Sequence, residues 1–341
     1  MGRKAASYRR VGPIDMATSG QIAPFRIAPG FVGRVWGFHD LRPWFDQTAE
    51  GGEPIGEAWL TGDECVVETG PHTGQTLASL FGEAAQALLG ASAASPASPL
   101  LVKVIFAREK LSVQVHPDDE MAHRYGQPRG KSECWYALVA EPGASVACGL
   151  KPGVTLDQVK SGIAGGTLEE CLNLLPVTAG DMVYVDAGTV HAIWPGSILL
   201  ETQQNCDLTY RLFDYGRGRE LHIEKALEAI RLLSRAGRIA PATLADRTVL
   251  LDAEYFCVER IPVDGRRSST TLPGEAEPAP GLAYLFAAGG AARIAGPAFD
   301  PVDLPARGIV AVPAASPAFE VEDRGGLDLI RISPRWPGVT S

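Results

Sequence analysis

The chain has 341 residues, of which 45% are hydrophobic and 21% charged, and its net charge is −9. That is enough to bury one large core or two smaller ones. No basic patch follows the first ten residues, which argues against a nucleic-acid partner, and no apolar run reaches membrane-spanning length.

Residues 1–20 begin MGRKAASYRR and read as a basic, mobile tail without the apolar core of a signal peptide. Six cysteines are scattered with no C-x-x-C pair, so reduced thiols in a cytoplasmic compartment are expected and none is expected to bind metal. From Ile27 to Thr69 short strand-like runs (RVWGF, IGEAWLTG, ECVVETG) are broken by glycines, with Trp36, Trp44 and Trp59 as packing residues. Thr76 to Leu89 predicts a helix and residues 91–99 an exposed loop. Leu100 to Phe106 is a buried strand with one anomaly, Lys103, which either snorkels to water or faces a polar pocket.

The segment Leu111–Tyr136, LSVQVHPDDEMAHRYGQPRGKSECWY, carries the strongest chemical signal. On a strand, Ser112, Gln114 and His116 share one face and Val113 and Val115 the other; Lys131, Glu133 and Trp135 share a face in the same way. Between them, residues 117–125 predict a short helix opened by Pro117 with Asp118, Asp119 and Glu120 in its first turn, and His123 on its surface. Downstream, Gly180–Ile193 is a glycine-bounded strand that ends in His191. If these polar faces meet inside a small barrel, Gln114, His116, Glu133 and His191 converge. Two imidazoles, a carboxylate and an amide oxygen suit Zn²⁺ or another borderline divalent ion. Taken singly, each His is more often a turn or surface residue than a ligand, so the joint pattern carries the reading.

Two capping boxes, Thr155-x-x-Gln158 and Thr167-x-x-Glu170, predict a small helical insert over 153–175 that walls one side of a cleft. From Ile198 to Tyr215 the chain alternates again, and Glu201, Gln203, Asp207, Thr209 and Arg211 share parity if no bulge intervenes. For Asp207 and Arg211 a structural ion pair is the competing explanation. Leu221 to Arg235 predicts an amphipathic helix. From Thr248 onward short strands return with Pro and Gly turns and no further His, which predicts a second β unit without a metal set.

Gly180-x5-Asp186-x-Gly188-x2-His191 resembles the second cupin motif, with Asp186 where cupins usually have Pro. Gln114-x-His116 and Glu133 resemble the first motif, stretched by an insertion. LSVQVHPDD, GKSECWY, AGTVHAI and ETQQNCDLTYRLFDYGR, preceded by Arg34-Val-Trp-Gly and Ile55-Gly-Glu-Ala-Trp, resemble type I mannose-6-phosphate isomerases, the zinc-dependent cupin isomerases, in their short bacterial form. The matching blocks run from about Gly33 to Ile230.

The resemblance implies a mainly β fold: two cupin-like barrel or jelly-roll units with a helical insert and flanking helices. The catalytic unit spans 21–240, and a non-catalytic unit spans 245–341. It also implies one Zn²⁺ per chain on Gln114, His116, Glu133 and His191. Arg211 would meet developing charge, Lys131 and Glu201 would handle protons or polar contacts, and Ser112 and Lys103 would take a phosphate. The activity implied is the interconversion of mannose 6-phosphate and fructose 6-phosphate by a monomer or homodimer. A cupin isomerase for another sugar and a silent sugar-binding cupin remain the alternatives.

Overall fold

A computed structural model describes residues 21–90, 97–269 and 281–336. The expected basic tail at 1–20 lies outside the described residues, as does most of the expected loop at 91–99. At the end of that loop Ser98 and Pro99 are buried instead of exposed.

Among the described residues four antiparallel sheets stack in layers. A seven-stranded sheet runs in the order Gly237–Ile239, Met182–Val185, Glu133–Ala140, Ser197–Gln204, Leu100–Ala107, Ile55–Trp59, Gly30–Phe38. One face packs on a five-stranded sheet ordered Tyr210–Phe213, Val113–Val115, His191–Ile193, Ser145–Leu150, Leu172–Pro176. Its other face shares the largest core with an eight-stranded sheet built mostly from residues after Ala242. That sheet in turn covers a four-stranded sheet comprising Arg266–Ser268, Glu320–Asp323, Ala292–Gly296 and Phe299–Leu304. The sheets are open, so each unit is a jelly-roll-like sandwich and not a closed barrel.

The strand Leu100–Ala107 shows how this layering is written in the chain. Leu100, Val102, Val104 and Phe106 join the core shared with the eight-stranded sheet, whereas Ile105 faces the five-stranded sheet. Lys103 has the parity of Ile105 and turns the same way, into a cleft between the two sheets. A strand buried on both faces reads as one apolar run, and its single cation marks a polar place between the layers.

The outer face of the five-stranded sheet is closed by short helices through Met121, Val159 and Ala226. The helix Asp119–Arg124 starts two residues later than expected, because Asp118 is its cap and accepts from Met121 N–H at 2.8 Å. Leu77–Leu89 and Leu156–Gly165 are helices capped by Thr76 and Thr155, the latter with a full capping box. The second expected box fails: Thr167 makes no side-chain cap, and Leu168–Cys171 is a single 3₁₀ turn leading into a strand. The helix expected over 221–235 is only Ile223–Ala229.

The chain-order boundary near residue 240 does not coincide with sheet membership. Phe25–Ala28 and Val66–Val67 hydrogen-bond into the eight-stranded sheet, Phe25–Ala28 against Ile309–Val312. The N-terminal segment therefore stitches the two sandwiches together.

Candidate active site

The cleft lies between the seven- and five-stranded sheets and has a volume of about 520 Å³. Register fixes its side chains. On the five-stranded sheet Gln114 stands opposite His191 on one side and Arg211 on the other. On the facing sheet Glu201 stands opposite both Trp135 and Lys103, and Lys103 opposite Trp59. The alternation expected through Ile198–Tyr215 breaks after Gln204, where the chain crosses from one sheet to the other. Glu201, Asp207, Thr209 and Arg211 nevertheless all line the cleft, while Gln203 turns away to donate to the Cys206 carbonyl.

His116, Glu133 and His191 come together with their donor atoms within 4.8 Å of one another, each only 1% exposed. His116 Nδ1–H donates to the Leu208 carbonyl and His191 Nδ1–H to the Thr189 carbonyl, both at 2.8 Å. Each imidazole thus keeps its Nε2 lone pair for the interior, the tautomer that a metal requires. His116 Nε2 has no hydrogen-bond partner and lies 3.4 Å from Glu133 Oε2. A lone pair facing a carboxylate oxygen is repulsive, and a cation between them reverses the sign. Burial, then Lys131, drive the His116 pKa down to about 3, and burial lowers that of His191, so both rings are neutral.

The donor set therefore fits a divalent ion. Gln114 stands beside it with its amide NH₂ donating to His191 Nε2 at 3.1 Å and its oxygen toward Ser112. A half-turn of the amide offers that oxygen to a metal.

Two tight turns hold these segments. The Gly188 N–H donates to the His116 carbonyl at 2.8 Å with φ +88°, and a Cβ there would lie 2.7 Å from Arg231. A Cβ on Gly130, just before Lys131, would lie 2.4 Å from the Asp118 backbone. Asp186, in place of the usual cupin proline, staples its turn: it accepts from Thr189 Oγ1 at 2.7 Å and from Arg235 N–H at 3.2 Å.

From the His–Glu–His cluster a ladder of alternating charges crosses the cleft. Lys131 Nζ lies 2.9 Å from Glu133 and 3.6 Å from Glu201; Lys103 Nζ lies 3.1 Å from Glu201 and 3.5 Å from Glu57; Arg34 pairs with Glu57 at 2.9 Å. Trp135 and Trp59 donate to Glu201 and Glu57. Burial alone would lower the lysine pKa values, but the flanking carboxylates outweigh it, so Lys103 and Lys131 are raised and stay charged. Glu133 goes well below the ordinary range, since the charge of Lys131 overcomes its burial. Glu201 goes the other way, pushed up by burial and by Glu133.

At the far side Arg211 bonds the Glu220 carbonyl at 2.6 Å, and its buried Nε has no partner. Among the described residues no carboxylate lies within ion-pair distance of it; Asp207 instead faces Arg34 at 3.9 Å. Asp214 serves both Arg217 and Arg219. Two guanidiniums thus share one carboxylate, and Arg211 beside them has none in ion-pair range among the described residues. Arg34, Glu57 and Arg219 had no site role from the sequence. Glu57 sits between small and apolar residues in IGEAW, the same signal that exposed Lys103.

A two-sandwich protein with a buried His–Glu–His donor set opening on a charged cleft is a cupin-fold protein with a metal-competent site. Residues 25–141 match the family described as phosphomannose isomerase type I, catalytic domain. The chain is 35% identical over 246 residues to mannose-6-phosphate isomerase of Streptococcus mutans, covering 68% of this chain and 76% of that one. It is 36% identical over 261 residues to mannose-6-phosphate isomerase ManA of Bacillus subtilis, covering 72% and 81%. The crystal structure of the mannose 6-phosphate isomerase from Bacillus subtilis superposes with a TM-score of 0.79 at 28% identity, over 91% of this chain and 99% of that one. The chain belongs to the type I phosphomannose isomerase family.

Proposed function

We propose that the protein interconverts mannose 6-phosphate and fructose 6-phosphate through an enediol, using one Zn²⁺ per chain held by His116, Glu133, His191 and Gln114. The observation that carries the reading is the His–Glu–His cluster sharing its carboxylate, through Lys131, with the proton-competent Glu201 on the wall of the cleft. A metal in this site supplies Lewis-acid polarisation of the sugar oxygens at C1 and C2.

The chain supplies the rest. Glu201 moves the proton between the two carbons, because its raised pKa brings it toward the working range whereas Lys131 stays protonated. Lys131 bridges Glu133 and Glu201 and keeps both in place. Arg211, one strand from Gln114, meets charge that develops on the enediolate. Lys103, assigned by resemblance to the phosphate, is already matched by Glu57 and Glu201. The phosphate end therefore falls to Ser112 with Arg219, where guanidinium charge exceeds carboxylate charge. All six cysteines are free, which supports a reducing, cytoplasmic setting.

A coupled assay on mannose 6-phosphate, beside free mannose and other hexose phosphates, tests the reading. Activity confined to mannose 6-phosphate, lost on chelation and restored by zinc, is expected. Full turnover in metal-free protein, or a clear preference for another sugar, overturns it.

A further inference from the structure

Tyr255 lies between the strands Thr248–Asp252 and Phe256–Ile261 of the eight-stranded sheet, in the sandwich that carries no donor cluster among the described residues. Its phenol nonetheless reaches into the other sandwich and donates to Asp119 Oδ2 at 2.9 Å. Asp119 opens the short helix that follows His116. Its second oxygen accepts from the Gly130 N–H at 2.6 Å and from the Gln204 side-chain amide at 3.0 Å. Gln204, only 5% exposed, continues the net: its Oε1 accepts from the Ser132 N–H at 2.8 Å, and its own N–H donates to the Ser132 carbonyl at 3.1 Å. Ser132 Oγ then accepts from the Ala187 N–H at 3.2 Å, in the turn that leads to His191.

This net touches every segment that carries a donor of the cluster. Asp119 follows His116 by three residues, Ser132 precedes Glu133, and Ala187 sits in the turn whose Gly188 N–H holds the His116 carbonyl. None of its members faces the cleft or supplies a donor to the cluster. Donor atoms must be held to within a few tenths of an ångström, and their backbone supports set that precision. We infer that Asp119 and Tyr255 are positioning residues, through which the second sandwich holds the donor-bearing segments of the first at metal-binding geometry. The inference rests on the metal-dependent reading above but not on the identity of the sugar.

The test measures zinc affinity by competition with a chromophoric chelator, alongside isomerase kinetics, on full-length variants. Asp119→Ala should weaken zinc binding about ten- to a hundredfold and lower kcat comparably, with KM little changed. Asp119→Asn keeps an acceptor toward Gly130 and Gln204 and can donate to the Tyr255 oxygen, so it should recover most of both. Tyr255→Phe removes one oxygen and should weaken zinc binding by about tenfold, the scale of a hydrogen bond to a charged group. If Asp119→Ala does not fold, Tyr255→Phe decides. Wild-type zinc affinity in folded Tyr255→Phe and Asp119→Ala overturns the inference, as does an Asp119→Asn variant as impaired as Asp119→Ala. If the wild-type protein binds zinc but does not isomerise mannose 6-phosphate, the functional reading fails, and the zinc affinities still judge this one.

Discussion

His191 Nε2 lies 3.3 Å from Glu133 Oε1, although the two residues belong to different sheets. The cluster therefore reports how the sandwich closes. Glu133 is also the partner of Lys131 at 2.9 Å, so its carboxylate serves both the donor set and the charge ladder.

Removing that carboxylate should have two separable effects. Glu133→Ala should lose zinc, measured as metal content. It should also destabilise the metal-free protein by about 3–5 kcal/mol in urea unfolding, because Lys131 is left buried with only the more distant Glu201. A metal-free variant as stable as the metal-free parent would show that the ladder does not depend on Glu133.

Lys103 offers a complementary case. Lys103→Met leaves Glu57 and Glu201 facing each other without the cation between them, and both are buried. At pH 7 a loss of about 3–5 kcal/mol is expected. Part of it should return at pH 5, when one carboxylate takes a proton and the repulsion ends. A penalty that is the same at both pH values would refute this account.

His116 predicts a pH dependence of the metal-free protein. Its pKa is about 3 in the folded chain and 6.5 for the free side chain. Between these values the unfolded state binds the extra proton, so stability is full above pH 6.5 and falls as pH drops toward 3. By pH 5 the loss from this one group is about 2 kcal/mol. His116→Gln should show a shallower slope over that window in denaturant titrations. An unchanged slope would assign the acid sensitivity elsewhere.

Arg211 has no carboxylate partner in ion-pair range among the described residues, and its guanidinium stays charged at any working pH. If it meets charge present only on the enediolate, Arg211→Ala should lower kcat and kcat/KM together by about 10²–10³ with KM nearly constant. Zinc content should stay normal. Arg211→Lys should rescue in part, since a point charge does not reproduce the planar fork. A rise in KM with little change in kcat would move Arg211 to the phosphate instead.

Much of this protein is determined by local sequence. Period-two alternation placed Ser112 and Gln114 on the face opposite Val113 and Val115, and the structure keeps that division, because alternation is a property of the strand itself. Lys103 inside LLVKVIFA announced a polar place between two apolar layers for the same reason. The capping box at Thr155 was legible because its partners lie within one turn, whereas the one at Thr167 failed where the chain had to turn at once into a strand.

Tertiary structure alone decided what depends on distance across the fold. Which carboxylate each lysine meets, that Asp207 faces Arg34 and not Arg211, and that Glu57 belongs to the ladder follow from how two sheets are registered and packed. The insertion of Phe25–Ala28 beside Ile309–Val312, and the reach of Tyr255 to Asp119, join residues far apart in the chain. A strand's pattern states which side of it is apolar. It does not state which other strand will cover that side, because that choice is made by the packing of all the layers at once.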